Sequence, residues 1–223
     1  MEKENGFIFT FSGAAGSGKD TFVKMLIQKI KEYACVYAPK YLQDNMLFMT
    51  KNNLTIDMTA MSFAFADEFK SIFKRNFGYL EENKSDFRSD LQFFGTEIGR
   101  EYSNDFWTWG VLNEIEMISA MTPCKIFFIT DTRFQNELDV KAAFIKTFNV
   151  YINGGDHRNQ MTKDQKNHAS EQMSNDTSIR YDFVLSNNGT LEDLEEKAKI
   201  LAIEILKKVN ELNIYKNAEI TND

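Results

Sequence analysis

The chain has 223 residues, room for one α/β unit with a moving insert and too little for two full domains. It is 43% hydrophobic and 26% charged, and a formal net charge of −7 argues against a nucleic-acid backbone as its main partner. Cys35 and Cys124 sit in no CxxC or histidine pattern, the start MEKENGFIF is not a signal peptide, and no apolar run is long enough to span a bilayer. These features exclude a disulfide or zinc frame and a membrane partner, and they lead us to expect a cytoplasmic protein.

Residues 7–12, FIFTFS, form a short apolar run that stops at glycine, as a buried parallel strand does. A helix follows from Lys19 to about Tyr33, with Phe22, Met25, Leu26 and Ile30 facing in. In YLQDNMLFMTKNNLTIDM two apolar runs flank Lys51-Asn52-Asn53, which suits a hairpin or an excursion from the fold. TAMSFAFADEFKSIFKRNFG reads as strand into helix, with Asp67 as cap and Phe69, Ile72, Phe73 and Phe77 at helical spacing. SDFRSDLQFFGTEIGREY and DFWTWGVLNEIEMISAM predict two more helices, the second ended by Pro123. CKIFFITD (124–131), TFNVYIN and YDFVLSN predict strands. A last helix should run from about Leu191 to Leu212, with Leu194, Leu201, Ile205 and Leu212 facing in and NAEITND fraying. Strands alternating with helices predict a parallel sheet covered on both faces, with ligands gathered at the carboxyl ends of its strands.

The stretch Gly13-Ala14-Ala15-Gly16-Ser17-Gly18-Lys19 has the spacing of a phosphate-binding loop between a strand and a helix. Its backbone N–H groups and the helix N-terminus would face one anion, and Lys19 would reach the β and γ phosphates of a nucleotide. Asp20 stands where the pattern wants a hydroxyl, and the hydroxyl arrives one position late as Thr21. Asp20 either approaches a metal, directly or through water, or favours the helix N-terminus. The GK-x-T order is that of nucleoside monophosphate kinases and points to phosphoryl transfer onto a small acceptor.

At the end of the strand over 124–131, Asp131 stands where a Walker B carboxylate would orient magnesium or its waters, and Arg133 would offer a bidentate grip on phosphate. The competing reading makes Asp131 a cap of the next helix and Arg133 half of a surface ion pair. On the helix around FRSDLQFFGTEIGR, Phe87, Leu91, Phe94 and Ile98 form an apolar stripe. Arg88, Gln92, Thr96 and Arg100 follow one another at i, i+4 on a different face, beside Gly95 and Gly99. Such a face suits either a phosphate with a hydrogen-bonding base or plain solvent. The polar stretch NGGDHRNQMTKDQKNHASEQ, with Arg158, Lys163 and Lys166, is either disordered or a lid that brings cations over phosphates. His157 and His168 are too far apart for a metal pair and receive no catalytic role. Trp107, Trp109 and most phenylalanines are expected in the core.

Taken together, GAAGSGKDT, FADEFKSIF, LQFFGTEIGREYSNDFW, FFITDTRFQNE, HASE and YDFVLSNNGTLEDL resemble the phage-type deoxynucleoside monophosphate kinases, in order, from Phe7 to about Leu201. The segment of about 36–58 matches nothing that we can name. The resemblance implies a three-layer P-loop kinase fold: a parallel five-stranded sheet, helices on both faces and a small lid. It implies one domain over 1–223, with a substrate-binding helical region at about 59–121 and the lid at about 153–175. The implied reaction moves the γ-phosphate of ATP to a deoxynucleoside monophosphate, with Mg2+. The residues from Gly13 to Thr21 would hold the ATP phosphates, and Asn187, Asn188, Gly189 and Thr190 the adenine. Asp67, Lys70, Arg88, Gln92, Arg100 and Arg133 would bind the monophosphate. Lys19, Asp131, Arg133 and Arg158 would serve catalysis, and Asp20 and Asp131 would serve the metal through water. Its partners would be small molecules, with a homodimer in keeping, in the host cytoplasm if a phage encodes it. Animal-type phosphomevalonate kinase looks similar in the GKD loop and the DTR strand end, and an ATP-binding regulatory protein without transfer is the alternative of another class.

Overall fold

A computed structural model describes residues 6–37, 60–122, 124–140, 145–155, 162–172 and 178–220. The hairpin reading within 41–58, Pro123, His157 and Arg158 lie outside them.

Five strands form one sheet in the order β2-β3-β1-β4-β5, all paired in parallel. They are β1 (Gly6–Ser12), β2 (Met61–Phe63), β3 (Ile126–Ile129), β4 (Ile145–Gly154) and β5 (Phe183–Asn187). All seven residues of β1 are buried, because helices cover both faces of this central strand. Phe7, Phe9 and Phe11 point to one side, where Phe22, Leu26 and Ile30 of α1 (Lys19–Tyr37) meet Leu194, Leu201 and Ile205 of the last helix. Ile8 points to the other, among Phe127, Ile129, Phe69, Phe73 and Ile115. Period-2 alternation in the strands thus feeds two separate cores. The rings of Phe9 and Phe148 stack at 5.1 Å between β1 and β4.

The second face is covered by α2 (Asp67–Phe77) and by α5 (Phe106–Met121). Between them the chain forms a 3-10 turn (Glu81–Asn83), α3 (Arg88–Gln92), a π-helical segment (Phe93–Ile98) and α4 (Gly99–Tyr102). Four short or terminal elements complete the fold: α6 (Gln135–Leu138), α7 (Lys163–Asn167), α8 (Ala169–Gln172) and α9 (Leu191–Ile220).

Several local expectations are corrected. α9 continues to Ile220, well past Leu212. Asp67 does not cap α2 from the N-cap position, which is Ala66; its carboxylate accepts the Ala64 N–H instead (3.0 Å). Phe77 is 62% exposed, because α2 turns away into a left-handed Gly78 (φ 73°) just beyond it. The expected apolar stripe loses Ile98, which is 46% exposed. The π-segment is the reason: i→i+5 bonding takes one extra residue per turn, so every later side chain lags by roughly 100°. Gly99 thereby takes the buried position.

Candidate active site

β1 has β3 on one side and β4 on the other, so the sheet reverses its winding there, and the glycine loop leaves β1 at that point. Gly13, Gly16 and Gly18 have φ of 146°, 75° and 88°. A side chain at Gly13 would stand 2.4 Å from the Ile152 carbonyl oxygen, and one at Gly154 would stand 2.4 Å from the Ser17 carbonyl oxygen. The loop therefore needs glycine both for its conformation and for its packing on the end of β4. Lys19 Nζ donates to the carbonyls of Gly13 (2.8 Å) and Ala14 (2.9 Å), which bends the side chain over the loop. Burial, and then the Arg133 charge, push its pKa down to about 8 against the pull of Asp20, Glu171 and Asp131.

Asn187, from the expected adenine loop, donates its Nδ2 to the Ser17 carbonyl (2.8 Å) and so pins the phosphate loop from β5. Thr190 and Asp193 cap α9 reciprocally: each accepts the other's backbone N–H, at 3.2 and 2.9 Å. Asn188 donates to Ser186 (3.3 Å) and is exposed.

Beside the loop lies a cleft with about 780 Å3 of empty space, its open mouth included. Phe65, Phe69 and Trp107 supply its aromatic wall, and Lys70, Lys84, Arg88 and Arg133 its cations. Gln92, Thr96 and Asp131 line it as well. Arg88 has no ion-pair partner among the described residues, whereas Lys70 and Lys84 share Glu81 (3.2 and 3.5 Å). Arg133 pairs with the buried Glu171 of α8 and donates to the Ser170 carbonyl (3.3 Å).

Asp131 is partly buried at the cleft wall, and burial raises its pKa against the N–H donors that lower it. Its two oxygens accept the N–H groups of Phe65 (2.8 Å) and Ala66 (2.9 Å) at the start of α2. It thus does not cap the following helix; from the cleft wall it ties β3 to the β2–α2 turn.

Two sequence readings of the helical region change. Gly99 does not leave a notch for a ligand, because the Trp107 ring fills it, while Gly95 lines the cleft beside the Phe69 ring. Side chains added at Gly95 and Gly99 would meet Phe69 at 3.0 Å and Trp107 Nε1 at 2.2 Å, and Trp107 Nε1 donates to the Gly95 carbonyl (2.7 Å). Arg100 does not share the cleft with Arg88 and Gln92. Displaced by the π-segment, it pairs with buried Glu137 and lies 3.6 Å above the Phe134 ring. Asp67 is exposed and does not line the cleft.

Lys84, Glu137, Ser170 and Glu171 line the cleft without having been singled out from the sequence. The last three lay inside the quoted FFITDTRFQNE and HASE pieces, where a glutamate that far from any glycine or lysine motif carried no separate signal. In the lid region the described residues form α7 and α8, and His168 Nε2 meets Glu97 Oε1 at 2.9 Å.

A metal must fit these groups. Among the described residues no cluster of three or more His, Cys, Asp or Glu side chains could cage a cation. Mg2+ does not require one, since it keeps several waters and binds one or two carboxylates plus substrate phosphates. Asp20 is exposed beside Lys19 with Thr21 next to it, which fits that mode.

A parallel sheet in this order, whose first strand feeds a lysine-bearing glycine loop at the switch point, defines a P-loop phosphotransferase of the kinase type. The model of the family described as deoxynucleotide monophosphate kinase matches residues 2–198, and the chain belongs to that family. Its activity is ATP-dependent phosphoryl transfer to a deoxynucleoside monophosphate, giving the diphosphate and ADP. No curated protein matches the sequence. Two solved structures of the Mycobacterium tuberculosis APS kinase CysC are similar over 89% of this chain. A mutant form shows 12% identity, 97% coverage of its own chain and a TM-score of 0.37. The complex with AMPPNP and APS shows 11%, 98% and 0.38. No helix among the described residues is long and apolar enough to cross a membrane.

Proposed function

We propose that the glycine loop holds the ATP phosphates and that the adjoining cleft holds the deoxynucleoside monophosphate. The observation that carries this is contiguity. Arg133, Asp131 and Glu171 line the cleft and are also the charges, with Asp20, that Lys19 senses. A phosphate held in the cleft and one held on the loop would then approach each other at the end of β3.

In this reading Arg88 and Arg133 take the acceptor phosphate, Lys70 and Lys84 add positive potential at the mouth, and the Phe65–Phe69–Trp107 wall takes the base, with Gln92 offering it an amide. Asp20 and Thr21 carry the protein oxygens that would hold Mg2+, which would supply charge neutralisation at the ATP phosphates. The acceptor phosphate is already an anionic nucleophile, so no side chain acts as a strong base. Lys19 and Arg133 align the two phosphates and offset their charge. Asn187 serves the loop by holding the Ser17 carbonyl, and the adenine assignment passes to the neighbouring exposed residues Asn188 and Gly189. Asp131 acts from the cleft wall by fixing the β2–α2 turn that carries Phe65 and Ala66 to the cleft.

The test is acceptor-dependent ADP release from Mg·ATP across the deoxy- and ribonucleoside monophosphates and phosphomevalonate. Release with deoxynucleotides is expected and gives the base preference. Release with phosphomevalonate alone, or ATP binding without any transfer, would overturn the assignment of the cleft.

A further inference from the structure

Residues 131–134 carry the arginine that points into the cleft, and the backbone around it is held at every position. Asp131 is fixed to the β2–α2 turn through its carboxylate, and the Thr132 N–H donates to the Phe11 carbonyl (3.3 Å). The next two N–H groups, of Arg133 and Phe134, both go to one oxygen, Oε2 of Glu137, at 2.6 and 3.1 Å. The other oxygen of Glu137 pairs with Arg100 Nη2. Arg100 Nη1 in turn donates to the Asn104 carbonyl and to Asn136 Oδ1, each at 3.0 Å, and the guanidinium lies flat on Phe134. The two side chains are only 5% and 10% exposed.

We infer that Glu137, with Arg100 as its counter-ion, is a positioning residue for the acceptor phosphate, acting by setting the direction in which Arg133 leaves the backbone. This rests on the reading of Arg133 as a phosphate ligand. The physical reason is the length of the lever. A guanidinium sits at the end of a long flexible side chain, so a small rotation of its own peptide moves it far from a bidentate geometry. A charged acceptor on that residue's own N–H suppresses the rotation, and a buried carboxylate needs a cation to remain there. Arg100 meets that need, which explains why an arginine one turn beyond the cleft-facing stripe is buried in the protein instead of facing solvent.

The experiment is a double-mutant cycle on the whole enzyme, reading KM for the monophosphate, kcat and ATP affinity separately. Glu137→Gln keeps an acceptor oxygen for the two N–H groups but turns an amide toward Arg100. It is expected to lower kcat/KM for the acceptor by about tenfold while ATP affinity stays within about twofold. In an Arg133→Ala background the same change should have almost no further effect, because there is no guanidinium left to aim. Independent, multiplicative losses in the two backgrounds would overturn the proposal and leave Arg133 a ligand. If Arg133→Ala leaves the acceptor KM unchanged, the reading of Arg133 fails and the proposal with it. Should Glu137→Gln not fold, Arg100→Lys serves in its place. It keeps the charge, loses the planar contacts, and is expected to give the same split between acceptor and ATP constants.

Discussion

Lys19 offers a direct test of whether the glycine loop receives a polyphosphate. The residue is 9% exposed, and burial followed by the Arg133 charge holds the pKa of its amine at about 8. A lysine with a lowered pKa is partly neutral at mildly alkaline pH, and a bound polyphosphate would restore its charge, so nucleotide binding must take up a proton. With the pKa near 8 in the free protein, uptake should be about 0.1 proton per ATP at pH 7, about 0.5 at pH 8 and about 0.9 at pH 9. Affinity should accordingly fall as pH rises above about 8. Isothermal titration in two buffers of different ionisation enthalpy reads the uptake directly. Lys19→Met should remove this uptake. Binding heats independent of buffer at pH 8 and 9, with affinity intact, would refute the argument that this amine meets the phosphates.

Lys19→Ala is expected to abolish turnover while leaving the denaturant midpoint unchanged or slightly higher, since a buried, partly neutralised amine is removed; an active variant would remove the loop from the mechanism. Arg88→Ala should raise KM for the monophosphate by about 10- to 100-fold, the loss of one or two charge-assisted hydrogen bonds, with KM for ATP little changed. Gly99→Ala would force a methyl to within 2.2 Å of Trp107 Nε1. It should destabilise the protein by about 1–3 kcal/mol in urea unfolding, and an unchanged midpoint would contradict the packing described. Asn187→Ala, which frees the Ser17 carbonyl, should weaken ATP binding by about fivefold through loop mobility, measured by titration calorimetry.

The fold and one half of the site were legible in the chain itself. A fully apolar strand, a glycine loop whose lysine stands in register, and a hydrophobic strand ending in Asp131 and Arg133 are local patterns, and local sterics and burial suffice to specify them. The direction of side chains along the helical region was not legible. A periodic pattern assumes 3.6 residues per turn, and the π-segment over Phe93–Ile98 breaks that period. Arg88 and Gln92, before it, line the cleft, while Ile98 and Arg100, at its end and beyond, do not keep their expected faces.

What the tertiary structure alone decided is which charges neutralise one another. Arg100 meets Glu137 across 37 residues, Arg133 meets Glu171 across 38, and Asp131 meets the N–H groups of Phe65 and Ala66 across more than 60. Such pairings carry no sequence period, because they form between elements that the sheet brings together. A buried carboxylate is tolerated only where the completed fold supplies its donors.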